Sequence, residues 1–165
     1  MITTTNLKDY RIPEITVRMY VKEIDAMYSR EPVTNTFEMG ELLCRQFRDL
    51  DREQMIVMNL DAQGRPISYY VAGVGGTNAV HFPITNVFKT AIIQNAVSIV
   101  LCHNHPGGRL VPSSEDLDAT KECVRVGELL GIRLLDHFII SPDDYYSMRE
   151  RNPELFHYNN KGGII

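Results

Sequence analysis

The chain has 165 residues, 44 % of them hydrophobic and 23 % charged, and its 17 Lys+Arg against 21 Asp+Glu leave a formal net charge of −4. That composition excludes a disordered or collagen-like chain, and the length predicts a single domain. No run approaches the ~18 consecutive apolar residues of a membrane span, and the polar stretch Met1–Leu7 does not read as a signal peptide, so no membrane partner is expected. The acidic balance argues against nucleic-acid binding through this chain alone. Three scattered cysteines (Cys44, Cys102, Cys123) without a C-x-x-C pair point to a reducing, cytoplasmic setting. They also argue against a disulfide framework or a Cys-rich zinc site.

In chain order, Glu14–Glu23 alternates apolar and polar residues with the period of a half-buried strand, and Ser29–Thr34 reads as a loop. Spacing then becomes helical from Thr36 to Leu50, with Met39, Leu42, Leu43, Phe47 and Leu50 on one face and Thr36 as N-cap. Met55–Leu60 and Ile67–Ala72 form a predicted hairpin across Asp61–Pro66, followed by a flexible bend at Gly73, Gly75 and Gly76. A helix is expected over Asn86–Asn95 with Val87, Phe88, Ala91 and Ile92 inward. The apolar run Ser98–Cys102 reads as a strand buried on both faces. Pro106–Pro112 must be a loop. A helix follows from Ser113 or Ser114 to Leu130, and Gly131 is placed to end it. Arg133–Ile140 is a further strand, Tyr145–Arg151 one or two helical turns, and Asn159–Ile165 a loose tail. Interspersed strands and helices predict an α/β or α+β sandwich around a mixed sheet.

The stretch richest in chemistry is His103-Asn-His105, with Asp116 eleven residues further on. Residues i and i+2 of a strand point the same way, so both imidazoles project from one face at the strand's end. The Pro-Gly-Gly loop returns the chain, and Asp116 falls in the first turn of the next helix. Two imidazoles and a carboxylate make a three-ligand zinc (Zn2+) site with a fourth position open, the catalytic arrangement. A metal-activated water still needs a group to take its proton. Glu53, at the start of strand Gln54–Leu60, is the best-placed candidate base, and Ser113 could donate a hydrogen bond to a developing oxyanion. Plainer roles stand beside these. Ser113 and Asp116 also read as a helix start, and Glu53 alone as a solvated strand-end carboxylate. His81 and His157 read as surface or boundary histidines, His137 as a structural partner beside Asp136 rather than a ligand, and Cys102 as a small buried residue on the opposite face from His103.

The pattern His103-x-His105-x7-Ser113-x2-Asp116 resembles the JAMM signature of JAB/MPN domains, many of which are zinc-dependent isopeptidases. More narrowly, H-N-H-P-G-G followed by P-S-S-E-D is similar to the RadC-type bacterial branch. Asp51-Arg-Glu53, Asn95-Ala96 and Leu135-Asp-His137 agree with it, and the likeness spans about Pro32 to Arg149. The resemblance implies a JAB/MPN (cytidine-deaminase-like) three-layer α/β sandwich, a mixed sheet flanked by helices. It assigns His103, His105 and Asp116 as zinc ligands, Glu53 as the acid/base that holds the water, and Ser113 as a transition-state hydrogen-bond donor.

The implied domains are an N-terminal strand and linker over 1–32, a RadC-type metallohydrolase domain over 33–160, and a flexible tail over 161–165. The implied activity is that of a JAMM metalloprotease acting on a protein or peptide. The alternative is a non-catalytic, metal-stabilised interaction module or a DNA-associated accessory protein. Gly107 replaces a usual serine, many relatives carry an arginine near Thr85, and the helix-hairpin-helix module of longer members is not expected, since no glycine precedes Gly40 and the residues are too few. A homodimer through an exposed edge strand at Glu14–Glu23 is compatible with the pattern.

Overall fold

The computed structural model describes Thr16 and residues 32–75, 82–142 and 144–157. The expected strand Glu14–Glu23 (Thr16 apart), its dimer edge, His81, Gly76 and the tail from Asn159 lie outside these residues. Among them the order is α1 (Thr36–Phe47), β1 (Gln54–Leu60), β2 (Pro66–Val74), α2 (Ile84–Ile93), β3 (Ser98–Asn104), α3 (Ser114–Leu130), β4 (Arg133–Ile140), β5 (Tyr145–Ser147), α4 (Met148–Arg151) and a 3-10 turn at Pro153–Phe156. No helix among the described residues is long and apolar enough to cross a membrane.

The five strands pair in the order β2-β1-β3-β4-β5. Only β3 and β4 run parallel; the other pairs are antiparallel. A parallel pair needs a long crossover, and α3 supplies it. Strand alternation then divides the core in two. Met55, Val57, Ile99, Leu101 and Ile139 meet α2 and α3 through Val87, Phe88, Ala91, Cys123 and Val124. On the other face Ile56, Met58, Leu60, Val100, Cys102, Phe138 and Ile140 meet α1 through Met39, Leu43 and Phe47. Each fully buried large side chain contributes on the order of 2 kcal/mol by leaving water, so both helical layers are needed to cover the central strands. The result is the expected three-layer α/β sandwich with a mixed sheet.

Several boundaries differ from expectation for local reasons. The α1 cap is Asn35, not Thr36: Asn35 Oδ1 accepts from the Glu38 amide at 2.9 Å, and Glu38 reaches back to the Thr34 amide at 3.0 Å. The helix stops at Phe47, leaving Leu50 beyond it. Gly73 lies inside β2, at a register shift between Met55 and Ile56, so the expected bend is a bulge in a continuing strand. Ile92 falls outside the strip that Val87, Phe88 and Ala91 bury and is half exposed. The segment from Tyr145 opens as a short edge strand, because Tyr145–Ser147 pairs with Phe138–Ile140 before Ser147 caps α4. By contrast α3 and β4 match their expected limits. Gly131 closes α3 in the left-handed region (φ 70°), which glycine adopts without cost.

Candidate metal centre

β3 extends two residues further than expected, to Asn104, and His105 follows directly. Alternation turns Cys102 and Asn104 toward α1 and His103 toward α3, and His105 shares the His103 face. The two Nε2 atoms stand 2.7 Å apart. Ser113 is the N-cap of α3 and Asp116 its third residue, joined in a reciprocal capping box. That places Asp116 Oδ1 3.4 Å from His103 Nε2. One ligand atom from each of His103, His105 and Asp116 lies within 4.8 Å of the other two. The expected trio is thus brought together, with His103 buried and the other two partly open at the rim.

The donor chemistry suits a cation. His105 Nδ1 bonds the carbonyl oxygen of Arg109, an acceptor only, so the proton sits on Nδ1 and the Nε2 lone pair faces the cluster. Burial pushes His103 down to about 4, against the opposing pull of the Asp116 carboxylate, so its imidazole is neutral at neutral pH. Burial would raise the Asp116 carboxyl, but the His103 side chain and hydrogen bonds from Ser113 together hold it below its ordinary range. Two imidazole nitrogens and an ionised carboxylate oxygen therefore converge, a donor set that could hold a metal ion. Asp116 divides its oxygens: Oδ2 takes the Ser113 amide at 2.7 Å and the Ser113 hydroxyl at 2.6 Å, leaving Oδ1 for the cluster.

Glu53 ends the segment that leads into β1. Met55 pairs with His103, so the register carries Glu53 to the same end of the sheet as His105. Burial raises its carboxyl; His105 opposes that rise and Asp116 reinforces it, so Glu53 lies within electrostatic reach of both. Its backbone carbonyl is fixed by the Gly75 amide at 2.8 Å.

Three further residues shape the site, and the sequence reading gave two of them no role. Asn104, between the two histidines, points to the opposite face. Its Oδ1 accepts from the Gln54 amide at 2.8 Å and its Nδ2 donates to the Arg52 carbonyl at 2.8 Å, clamping the turn that presents Glu53. Its place at an even position of a buried strand was the available signal. Thr120, one helical turn after Asp116, is fully buried and bonds the ring of His137 at 2.7 Å. The i, i+4 spacing could have pointed to it. His137 in turn lies 3.1 Å from His103 Nδ1, so it stands behind a candidate ligand, in the place of a structural partner. Its side chain does not pair with that of Asp136, which faces α1 and accepts from Ser147 Oγ at 2.6 Å. His157 is exposed.

The model of the RadC-like JAB domain matches residues 33–153. Over 112 residues the chain is 40 % identical to a UPF0758 protein of Finegoldia magna, covering 68 % of this chain and 50 % of that protein. It is 34 % identical over 126 residues to a UPF0758 protein of Chloroflexus aurantiacus (76 % and 55 % covered) and 38 % identical over 121 residues to one of Desulfitobacterium hafniense (73 % and 53 % covered). The chain spans about half the length of these curated relatives. With the matched segment running from just before α1 to the start of the final 3-10 turn, this chain belongs to the RadC-like JAB domain family.

Proposed function

We propose that this chain is a zinc-dependent hydrolase of amide bonds, a peptidase or isopeptidase of JAMM type. The observation that supports this most is the convergence of His103 Nε2, His105 Nε2 and an Asp116 oxygen within 4.8 Å, at an open rim beside Glu53. A zinc ion held there would lower the pKa of a bound water to about 7 and polarise a substrate carbonyl.

The chain's own residues have distinct tasks in this reading. Glu53 accepts the proton of the attacking water and returns it to the leaving amine, a role that suits a carboxyl already raised by burial. Ser113 donates to the carbonyl oxygen as charge develops on it, once its hydroxyl proton turns away from Asp116 Oδ2. Asn104 holds the Arg52–Gln54 backbone so that Glu53 meets the site in one position. The occupant of the open rim is a protein or peptide strand.

Zinc titration of the metal-free protein, followed by incubation with a mixed peptide library, tests the proposal. The expected result is about one zinc per chain and zinc-dependent release of new amines, both lost in His103→Ala. A folded protein that takes up no zinc would sink the reading. One zinc with no cleavage would favour the metal-stabilised interaction module instead.

A further inference from the structure

Behind the ligand cluster runs a closed line of hydrogen-bonding groups. Thr120 Oγ1 lies 2.7 Å from the carbonyl oxygen of Asp116 and 2.7 Å from His137 Nδ1; His137 Nε2 lies 3.1 Å from His103 Nδ1. Thr120 and His137 are fully buried and His103 is 3 % exposed, so these groups must satisfy one another.

The line has two self-consistent polarities, because each neutral imidazole has one N–H and one lone pair, and the hydroxyl has a single proton. In the first, Thr120 donates to the Asp116 carbonyl and accepts from His137 Nδ1–H, and His137 Nε2 accepts from His103 Nδ1–H. His103 Nε2 is then a bare lone pair facing His105 and Asp116. In the second, both bonds to His137 reverse and the bond to the Asp116 carbonyl is given up: Thr120 donates to His137 Nδ1, His137 Nε2–H donates to His103 Nδ1, and His103 Nε2 has the proton. Only the first lets His103 bind a cation. Thr120 is the one member that can serve His137 Nδ1 in either sense, since its hydroxyl has two acceptors within reach besides the thioether of Met148 at 3.1 Å.

Resting on the reading of His103 as a metal ligand, we propose that Thr120 and His137 are positioning residues whose relay holds His103 in the tautomer with Nε2 free for the metal. The main chain of the third ligand, Asp116, anchors the far end, so the helix that supplies one ligand sets the protonation of another. Loss of the Thr120 hydroxyl removes the acceptor that His137 Nδ1–H needs. An unpartnered buried N–H is costly, so the proton moves to His137 Nε2 and the line adopts its second polarity.

The experiment measures zinc affinity by competition with a chromophoric chelator in wild type, Thr120→Ser and Thr120→Val. It also records long-range 1H–15N correlations of the histidine rings in the zinc-loaded wild type. Thr120→Val is expected to bind zinc about 10–100-fold more weakly and Thr120→Ser close to wild type, the loss typical of a removed partner of a ligating histidine. The His137 spectrum should show a protonated Nδ1 and a bare Nε2. Equal affinity in all three proteins would overturn the relay, as would a zinc-loaded His137 protonated at Nε2. Should Thr120→Val fail to fold, the wild-type spectrum decides alone. Failure of the wild type itself to bind zinc would bring down the metal reading, whereas normal wild-type binding with unaltered variants brings down only the relay.

Discussion

Ser113 and Asp116 hold each other from both directions: the serine hydroxyl donates to Asp116 Oδ2 at 2.6 Å, and the Asp116 amide donates to Ser113 Oγ at 3.1 Å. One pair thereby caps α3 and aims Asp116 Oδ1 at the histidines. Ser113→Ala is expected to lower stability by about 1 kcal/mol through loss of the cap. It should also weaken zinc binding, because the carboxylate then loses the hydroxyl and keeps only the Ser113 amide on Oδ2. Thermal unfolding with and without zinc, together with chelator competition, measures both; a variant with reduced stability and unchanged zinc affinity would separate the cap from the ligand.

In the proposed reading, Glu53 and Asn104 bear on hydrolysis rather than on metal capture. Glu53→Gln should keep about one zinc per chain and lose about 10²–10⁴-fold in kcat, the usual contribution of a positioned acid/base. Asn104→Ala removes the bonds to Gln54 and Arg52, which should cost about 1–3 kcal/mol and let the Glu53 turn drift. Its kcat should fall while zinc binding persists. Full activity in Glu53→Gln would remove that residue from the mechanism.

At Gly127 α3 packs tightly against the chain entering β4. A Cβ built there would meet the Ile132 carbonyl oxygen at 2.5 Å, and backbone cannot swing aside. Gly127→Ala is therefore expected to destabilise the fold by about 1–3 kcal/mol, as overpacking does. Zinc stoichiometry should be retained, since Asp116 lies at the other end of the helix. Chemical denaturation and metal analysis provide the two readouts.

Asp136 sets a pH dependence of its own. Burial raises its carboxyl to about 6, outweighing hydrogen bonds from Ser147, Arg149 and His137. A folded-state pKa above the ordinary 3.8 means the native state holds the proton more tightly. The stabilisation is fully present below about 3.8 and is lost as pH rises through about 6. The shift is worth roughly 2–3 kcal/mol. Asp136→Asn cannot ionise, so its stability relative to wild type should climb between pH 4 and 6 and level off above. Urea unfolding across that range checks this; parallel curves for the two proteins would contradict it.

The convergence of His103, His105 and Asp116 was legible in sequence because strand alternation and helix capping are local rules, and each of the three sits where one rule suffices. The limits of α3 and β4 were readable for the same reason, with Ser113 and Gly131 marking both helix ends. Local spacing hinted at the facing of Thr120 and Asn104, but their partners depend on which strand lies beside them. The Asn104 contact with Gln54 joins residues 50 positions apart, and no local pattern encodes it. Tyr145–Ser147 was misjudged on similar grounds: a three-residue edge strand exists only because β4 offers it a partner.

The crossover that joins β3 to β4 has a consequence for how the molecule divides its labour. All three candidate ligands and both residues of the proposed relay belong to β3, α3, β4 and the turn between the first two, a single β–α–β unit, whereas Glu53 is contributed by the approach to β1. In the proposed reading, metal binding would thus be confined to one supersecondary unit, and turnover would need the approach to β1 paired against it. If the proposed reading holds, loosening β1 from β3 would leave a chain that still binds the ion but no longer turns over, so the strand seam between Met55 and His103 would be where ion binding and hydrolysis are joined.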